Sequence, residues 1–112
     1  MHEYSIVQAL LNQCEDIAKE HNATKIEKIV CKIGVMSGIE IHLFKIAFDT
    51  FKYGTICEEA ELIINQQKLK LHCSKCNLEF EVDEPIYSCV ECGCLSSVVD
   101  GEDMYLVSLE IV

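Results

Sequence analysis

Two cysteine pairs, Cys73-Ser-Lys-Cys76 and Cys89-Val-Glu-Cys92, stand twelve residues apart. A Cys-x-x-Cys turn aims two thiolates at one point, and two such turns on facing hairpins complete a tetrahedral shell of four sulfurs. Zinc suits that shell because it is borderline-soft, has no d-electron preference in geometry and is four-coordinate in structural sites. The spacing is slightly shorter than is usual between zinc-binding pairs, yet it leaves room for one hairpin. Gly93 follows Cys92 directly, at a point where a knuckle often needs positive φ. The rival chemistry, a pair of redox dithiols, belongs beside a βαβ pattern, which the order of elements read below does not lead one to expect. A shell of four sulfurs has no open position, which argues against hydrolase or deaminase chemistry at the metal.

His2 and Glu3 form a second group with chemistry to offer. An initiator methionine is normally removed only before a small residue, so Met1 is expected to stay. His2 can present its Nδ1 and its own amide nitrogen to one metal in a six-membered chelate ring. The Met1 amine closes a five-membered ring with the same amide, and the Glu3 amide can do likewise. Deprotonated amides with an imidazole favour square-planar Ni(II) or Cu(II). In a plane the His2 amide has only two cis neighbours, for which three chelate arms compete. One arm is left out, or the ion becomes six-coordinate. A position then stays open for the carboxylate of Glu3 or Glu40, or for His42.

Plainer readings stand beside these. A histidine at position 2 is commonly an exposed terminal residue. Glu40 fits as the capping partner of Ser37 in Ser37-Gly38-Ile39-Glu40. His21 falls near a helix C-terminus, where a cation is favoured. His72 is either a neighbour of the zinc shell or an ordinary strand residue. Cys14 and Cys31 lie on apolar faces as core thiols. Cys57 has no assigned role, and Cys94 is a spare thiol beside Cys92.

Charge narrows the partners. Nineteen acids against nine lysines, with no arginine, give a formal charge of −10 over 112 residues. From Cys73 to Asp103 there are eight carboxylates and one lysine, Lys75. Phosphate binding needs a basic surface, so nucleic acid is excluded as a partner. An acidic surface suits divalent cations or a basic protein patch instead. The start, Met-His-Glu-Tyr-Ser, has neither the basic nor the apolar region of a signal peptide, and no apolar run is long enough to span a bilayer. A cytoplasmic chain with reduced thiols is the expectation, with no membrane contact.

The elements that must position these groups follow from periodicity. Ile6, Val7, Leu10, Leu11, Cys14, Ile17 and Ala18 share one helical face, with Ser5 and Gln8 as a capping box and Asn22 as the stop. Ile29, Cys31, Ile33 and Val35 alternate as a strand. The Ser37–Glu40 capping box opens a second helix with the face Leu43, Phe44, Ala47, Phe48 and Phe51, ended by Gly54. Leu62 and Ile64 begin a second strand, while Leu69 and Leu71 have the opposite parity, so a bulge is expected near Gln66-Gln67 before the strand reaches Cys73. Tyr105, Val107, Leu109 and Ile111 alternate in a third strand. The expected fold is α/β (α+β): a three-stranded sheet with two helices on one face, plus a zinc-ribbon module inserted between adjacent strands. Residues 1–71 and 104–112 would form the domain that carries the terminal metal site and 72–103 the zinc ribbon.

Taken together, Met1-His2-Glu3, Ser37-Gly38-Ile39-Glu40, Phe44-x-x-Ala47-Phe48, Gly54-Thr55-Ile56, Ala60-Glu61-Leu62 and the two cysteine pairs resemble the HypA/HybF hydrogenase nickel-incorporation proteins, over the whole chain and in order. The resemblance implies a nickel metallochaperone, not an enzyme, that delivers Ni(II) for [NiFe]-hydrogenase maturation. Its partners would be a HypB-type GTPase and the hydrogenase large subunit and, in some relatives, urease accessory proteins. It implies His2 as principal nickel ligand with Glu3 nearby, a role for Glu40 close to nickel, and Cys73, Cys76, Cys89 and Cys92 as structural zinc ligands. Certain relatives carry histidines just after the cysteine pairs, where Asn77-Leu78 and Gly93-Cys94 stand here, which weakens any exchange of zinc thiolates for histidines. The competing function is a zinc-ribbon adaptor that binds another protein and delivers no metal.

Overall fold

In a computed structural model that describes residues 2–112, α1 (Glu3–Glu20) packs its Val7, Leu10, Leu11, Cys14 and Ala18 face into the core. α2 (Ile41–Phe51) adds Phe44, Ala47 and Phe48. Both helices rest on one face of a sheet made of β1 (Ile26–Gly34), β2 (Glu61–Gln67) and β6 (Met104–Ile111), in the order β2-β1-β6. Ile29, Cys31 and Ile33 of the central strand are fully buried beneath them. Each large side chain buried in this way contributes about 1.5–3 kcal/mol, so this layer has its own core. β3 (Leu69–Cys73), β4 (Leu78–Val82) and β5 (Ser97–Asp100) form a second, antiparallel sheet in the order β4-β3-β5. The expected α+β class, with two helices on one face of a three-stranded sheet, is what is found.

Several local expectations change. α1 begins two residues before Ser5, with His2 as N-cap and no side-chain cap, so Ser5-x-x-Gln8 is not a capping box. Its C-terminal end is as read: Asn22 takes φ 53 and the Ala23 amide donates to the Ala18 carbonyl at 2.8 Å. In α2 the N-cap is Glu40 itself, whose carboxylate accepts from the His42 and Leu43 amides. Ser37 instead accepts from Ile39 in a turn. Leu43 and Phe51 are largely exposed rather than core; the Phe51 ring packs edge-on against Tyr4.

The opposite parities of Leu62/Ile64 and Leu69/Leu71 mark a change of sheet, not a bulge: the strand ends at Gln67 and restarts at Leu69 in the second sheet. A bulge does occur in β6, where Val30 faces Ser108 but the next residue, Cys31, faces Leu106. It reverses parity, so Met104, Leu106, Leu109 and Ile111 meet the core while Tyr105 and Val107 face out. β2 and β6, which flank the insert in sequence, are opposite edges of the sheet and not neighbours. β1 and β2 are parallel with α2 between them, so a βαβ unit is present after all; the cysteine pairs lie beyond it.

One junction joins the sheets. The Val35 amide donates to the Gln67 carbonyl at 2.8 Å, Met36 to Gly101 at 2.8 Å and Gly34 to Asp103 at 2.9 Å. A Cβ on Gly34 would overlap the Gly101 carbonyl oxygen, and one on Gly101 (φ 106) would lie 2.7 Å from the Leu69 Cα. Only glycine permits backbones this close. Lys32 Nζ reaches Asp100 Oδ2 at 2.6 Å and sits 5.1 Å from the Tyr105 ring, tying β1 to β5. The molecule is elongated, 53 × 27 × 17 Å.

Candidate metal centres

Cys73 ends β3 and Cys76 lies in the turn to β4, where Asn77 takes φ 51. Cys89 and Cys92 occupy a second turn closed by the Ser88–Leu95 bridge, by Cys89 N–H to the Cys94 carbonyl (2.7 Å) and by Gly93 N–H to the Cys89 carbonyl (2.9 Å). Gly93 has φ 75, and no atom crowds its missing Cβ, so the residue is needed for conformation and not for space. The four Sγ atoms lie within 4.8 Å of one another, with Cys73 and Cys92 at 3.6 Å. A tetrahedron of 2.3 Å metal–sulfur bonds has edges of about 3.8 Å, so the spacing fits one ion. The Cys76 amide points at Cys73 Sγ (3.5 Å) and the Glu91 amide at Cys89 Sγ (3.4 Å). These donors favour thiolate. The amide of Cys94 likewise draws the Cys92 thiol below its ordinary pKa, while its hydrogen bond to Cys92 pushes Cys76 up to about 12. Four thiols this close cannot ionise together without a cation between them, and a bound divalent ion removes the conflict.

Two neighbours stay outside this group. Cys94 is exposed and is not one of the four. On β3, Leu69, Leu71 and Cys73 are buried on one face, which sends His72 to the other; it is a strand residue. The remaining thiols are core. Cys14, Cys31 and Cys57 have no exposed surface. Cys14 donates to Cys57, which raises the Cys14 pKa and lowers that of Cys57, while burial alone pushes Cys31 up to about 11.

At the other centre the structure brings Glu3 and Glu40 together through the backbone. Glu3 is only 6% exposed and its Oε2 accepts from the Glu40 amide at 3.2 Å. That bond holds the Glu3 carboxyl below its usual pKa against the opposing effect of burial. Glu40 points its carboxylate at the amides of His42 (3.2 Å) and Leu43 (2.8 Å). His2 is exposed at the start of α1, its carbonyl accepting from Ile6, and His42 is exposed on α2. The Met1 amine considered as a chelate arm lies outside the described residues. Among the described residues the four cysteines are the one group of three or more ligand side chains gathered closely enough for an ion; His2, Glu3, Glu40 and His42 are not so gathered. What the sequence did not reveal is the junction of Gly34, Gly101, Lys32 and Asp100. Asp100-Gly101 was visible as a turn dipeptide, but nothing local announced its contact with β1.

A family model described as hydrogenase/urease nickel incorporation, metallochaperone, HypA matches residues 1–111. The chain belongs to the HypA family. It is 50% identical to the hydrogenase maturation factor HypA of Aquifex aeolicus over 112 residues, covering 99% of this chain and 97% of the relative. It is 46% identical to the factor of the same name from Shewanella oneidensis, covering 99% and 95%. A solution structure of the nickel metallochaperone HypA from Helicobacter pylori superposes with a TM-score of 0.75 at 37% identity, covering all of this chain and 98% of that one. A second solution structure of a HypA protein gives 0.77 at 37% identity, with 100% and 97% covered. The two curated relatives are named as hydrogenase maturation factors, and the family is described for hydrogenase or urease nickel incorporation. Among the described residues no helix is long and apolar enough to cross a membrane.

Proposed function

We propose that this HypA-family chain works in the cytoplasm, without catalysing a reaction, as a nickel chaperone: it takes up Ni(II) as cargo and releases it for insertion into the hydrogenase large subunit, with a HypB-type GTPase as partner. Service to urease through its accessory proteins is the second destination that the family description allows. His2 is the principal nickel ligand, Glu3 contributes beside it, and Glu40 stands next in reach. Cys73, Cys76, Cys89 and Cys92 would hold Zn(II), which fastens the two knuckles and leaves no open position. The chain then divides into a nickel-binding module, residues 1–71 and 104–112, and a zinc-binding module, 72–103, with β3 running across the boundary.

The observation that carries this reading is the whole-length family match in a chain whose His2 stands exposed at the start of α1. A cargo site should be reachable and separable from the core. Removing His2 costs no packing, because the buried helix face starts beyond it.

The test is nickel titration of the wild type and His2→Ala, with zinc content measured in both. Loss of specific nickel binding with unchanged zinc and fold is expected; nickel binding equal to wild type would refute the terminal site and leave the adaptor reading. A Gly-Ser extension before Met1 then asks whether a terminal amine takes part. Glu3→Pro, set against Glu3→Gln, asks the same of the Glu3 amide. Glu3 is the first residue of α1, a position where proline is tolerated, so the helix should survive that change. If the extension has no effect and both Glu3 variants bind alike, backbone chelation is wrong and side chains carry the site.

A further inference from the structure

Two adjoining cavities, about 290 and 200 Å³, share Gln13 and Leu106 and form one trough between α1 and β6. It follows α1 from Ile6 to His21, about 22 Å of helix, and β6 from Met104 to Ile111, about 23 Å of strand. Its floor is apolar: Ile17, Leu106, Leu109 and Ile111 line the larger part. Among the described residues β6 pairs with β1 on one side and with no strand on the other, so an eight-residue edge carries free backbone donors and acceptors along the trough. On the opposite face of that edge, Val107 is 57% exposed and Tyr105 44%. A strand laid beside β6 would find apolar contacts for both of its faces.

Charge selects the occupant. Asp16 and Glu20 lie one turn beyond the Gln13–Ile17 row, on its solvent side; both are exposed, and neither is among the ion-paired carboxylates of the described residues. No lysine lies on that rim. A second copy of this chain, itself at −10, would meet like charge. A small molecule would leave the backbone edge unpaired.

We propose that the trough between α1 and β6 receives an extended, lysine- or arginine-bearing segment of a partner protein, which adds to β6 as a fourth strand and places alternate apolar side chains against Ile17 and Leu109. This is a protein-docking surface distinct from both metal centres, and it stands independently of the nickel reading.

The probe is the seven-residue peptide Lys-Thr-Val-Thr-Val-Thr-Lys, whose lysines and valines share one face of a strand, added to the zinc-loaded, ¹⁵N-labelled full chain. Three comparisons accompany it: a Glu-for-Lys peptide, a fully N-methylated peptide that cannot donate hydrogen bonds, and the protein double variant Asp16→Asn/Glu20→Gln. Saturable binding with amide shifts confined to α1 and β6, together with slowed exchange of β6 amides, is expected. The acidic peptide and the double variant should each bind about tenfold more weakly, and the N-methylated peptide should not bind. The proposal is overturned by absence of saturable binding, by shifts centred elsewhere, or by equal binding of the acidic or N-methylated peptide. Concentration-dependent protection of β6 without peptide would overturn it too, in favour of a second copy.

Discussion

The two candidate metal centres are built by opposite means. At the cysteine knuckles four donors are already gathered, three of their sulfurs receive amide hydrogen bonds, and the surrounding sheet is short, with little apolar core of its own. At the amino-terminal candidate centre the carboxylates already have partners within the fold. Glu3 and Glu40 are both spent on amides at the start of α2, where the helix dipole favours negative charge, and His2 is left exposed. An ion held by the first arrangement stabilises the fold. One held by the second must draw carboxylates away from existing bonds and sit near the positive ends of helices, so it can leave without unfolding anything. That contrast suits a resident ion at one end and a cargo at the other.

The largest effect expected is on the knuckles. Cys76→Ala removes one of four donors, and structural zinc in small modules is worth about 10–16 kcal/mol. Zinc content should fall to near zero, and the amides of β3, β4 and β5 should lose their dispersed NMR shifts, while α1, α2 and β1 keep theirs. Full zinc stoichiometry in this variant would remove the four-thiol assignment and with it the contrast.

Gly34→Ala asks whether the two regions are mechanically joined. The new Cβ overlaps the Gly101 carbonyl, so the junction must open, at about 1–3 kcal/mol. The Met36–Gly101 and Val35–Gln67 hydrogen bonds should weaken and the sheets should reorient, which small-angle scattering reads as a changed maximum dimension. An unchanged profile and unchanged stability would mean that the close approach is not holding the junction.

Glu3→Gln sharpens the amino-terminal side with a smaller effect. Glutamine keeps an acceptor for the Glu40 amide but loses the charge. Exchange of that amide should quicken and nickel binding should weaken, with zinc content untouched. The pH dependence has a definite sign. The Glu3 carboxyl is lowered in the folded state, so its contribution is full above about pH 4.3 and fades as pH falls through the lowered value. If Glu40 amide exchange is the same in both proteins at neutral pH, the fastening role of Glu3 is wrong.

Legibility in the sequence followed the range of each signal. The apolar stripe of α1 and the knuckles could be read because their information is local: three- and four-residue repeats, and Cys-x-x-Cys. Asn22 and Gly93 were readable as positive-φ positions for the same reason. The caps misled because Ser5 and Ser37 were read from local capping-box spacing, whereas the helices begin after His2 and Glu40, whose starts meet through the Glu3–Glu40 hydrogen bond. Strand parity misled where pairing intervened. The β6 bulge and the crossing at Lys68 each shift the pattern by one residue, and a single chain does not say which strand supplies the shift. The proposed nickel donors are the least legible part of the candidate site, since His2, Glu3, Glu40 and His42 are not gathered into one group.

The smallest expected effect lies where the two regions touch. Asp100 Oδ2 pairs with Lys32 across the sheets, and its Oδ1 accepts from the Gly101 amide at 2.8 Å. Asp100→Asn keeps an oxygen for Gly101 and removes only the charge facing Lys32. The pair is partly exposed, so it is worth about 0.5–1 kcal/mol, less at high salt. Lys32 holds the Asp100 carboxyl below its usual pKa, so the wild-type advantage should be constant above about pH 5 and shrink as pH falls from about 4 through the lowered value. Hydrogen exchange at the Met36 and Gly101 amides, measured against pH in both proteins, reads this locally. Curves that differ equally at every pH would show that Asn disturbs the junction by shape and not by charge. The tie between the two sheets would then rest on the glycine contact alone.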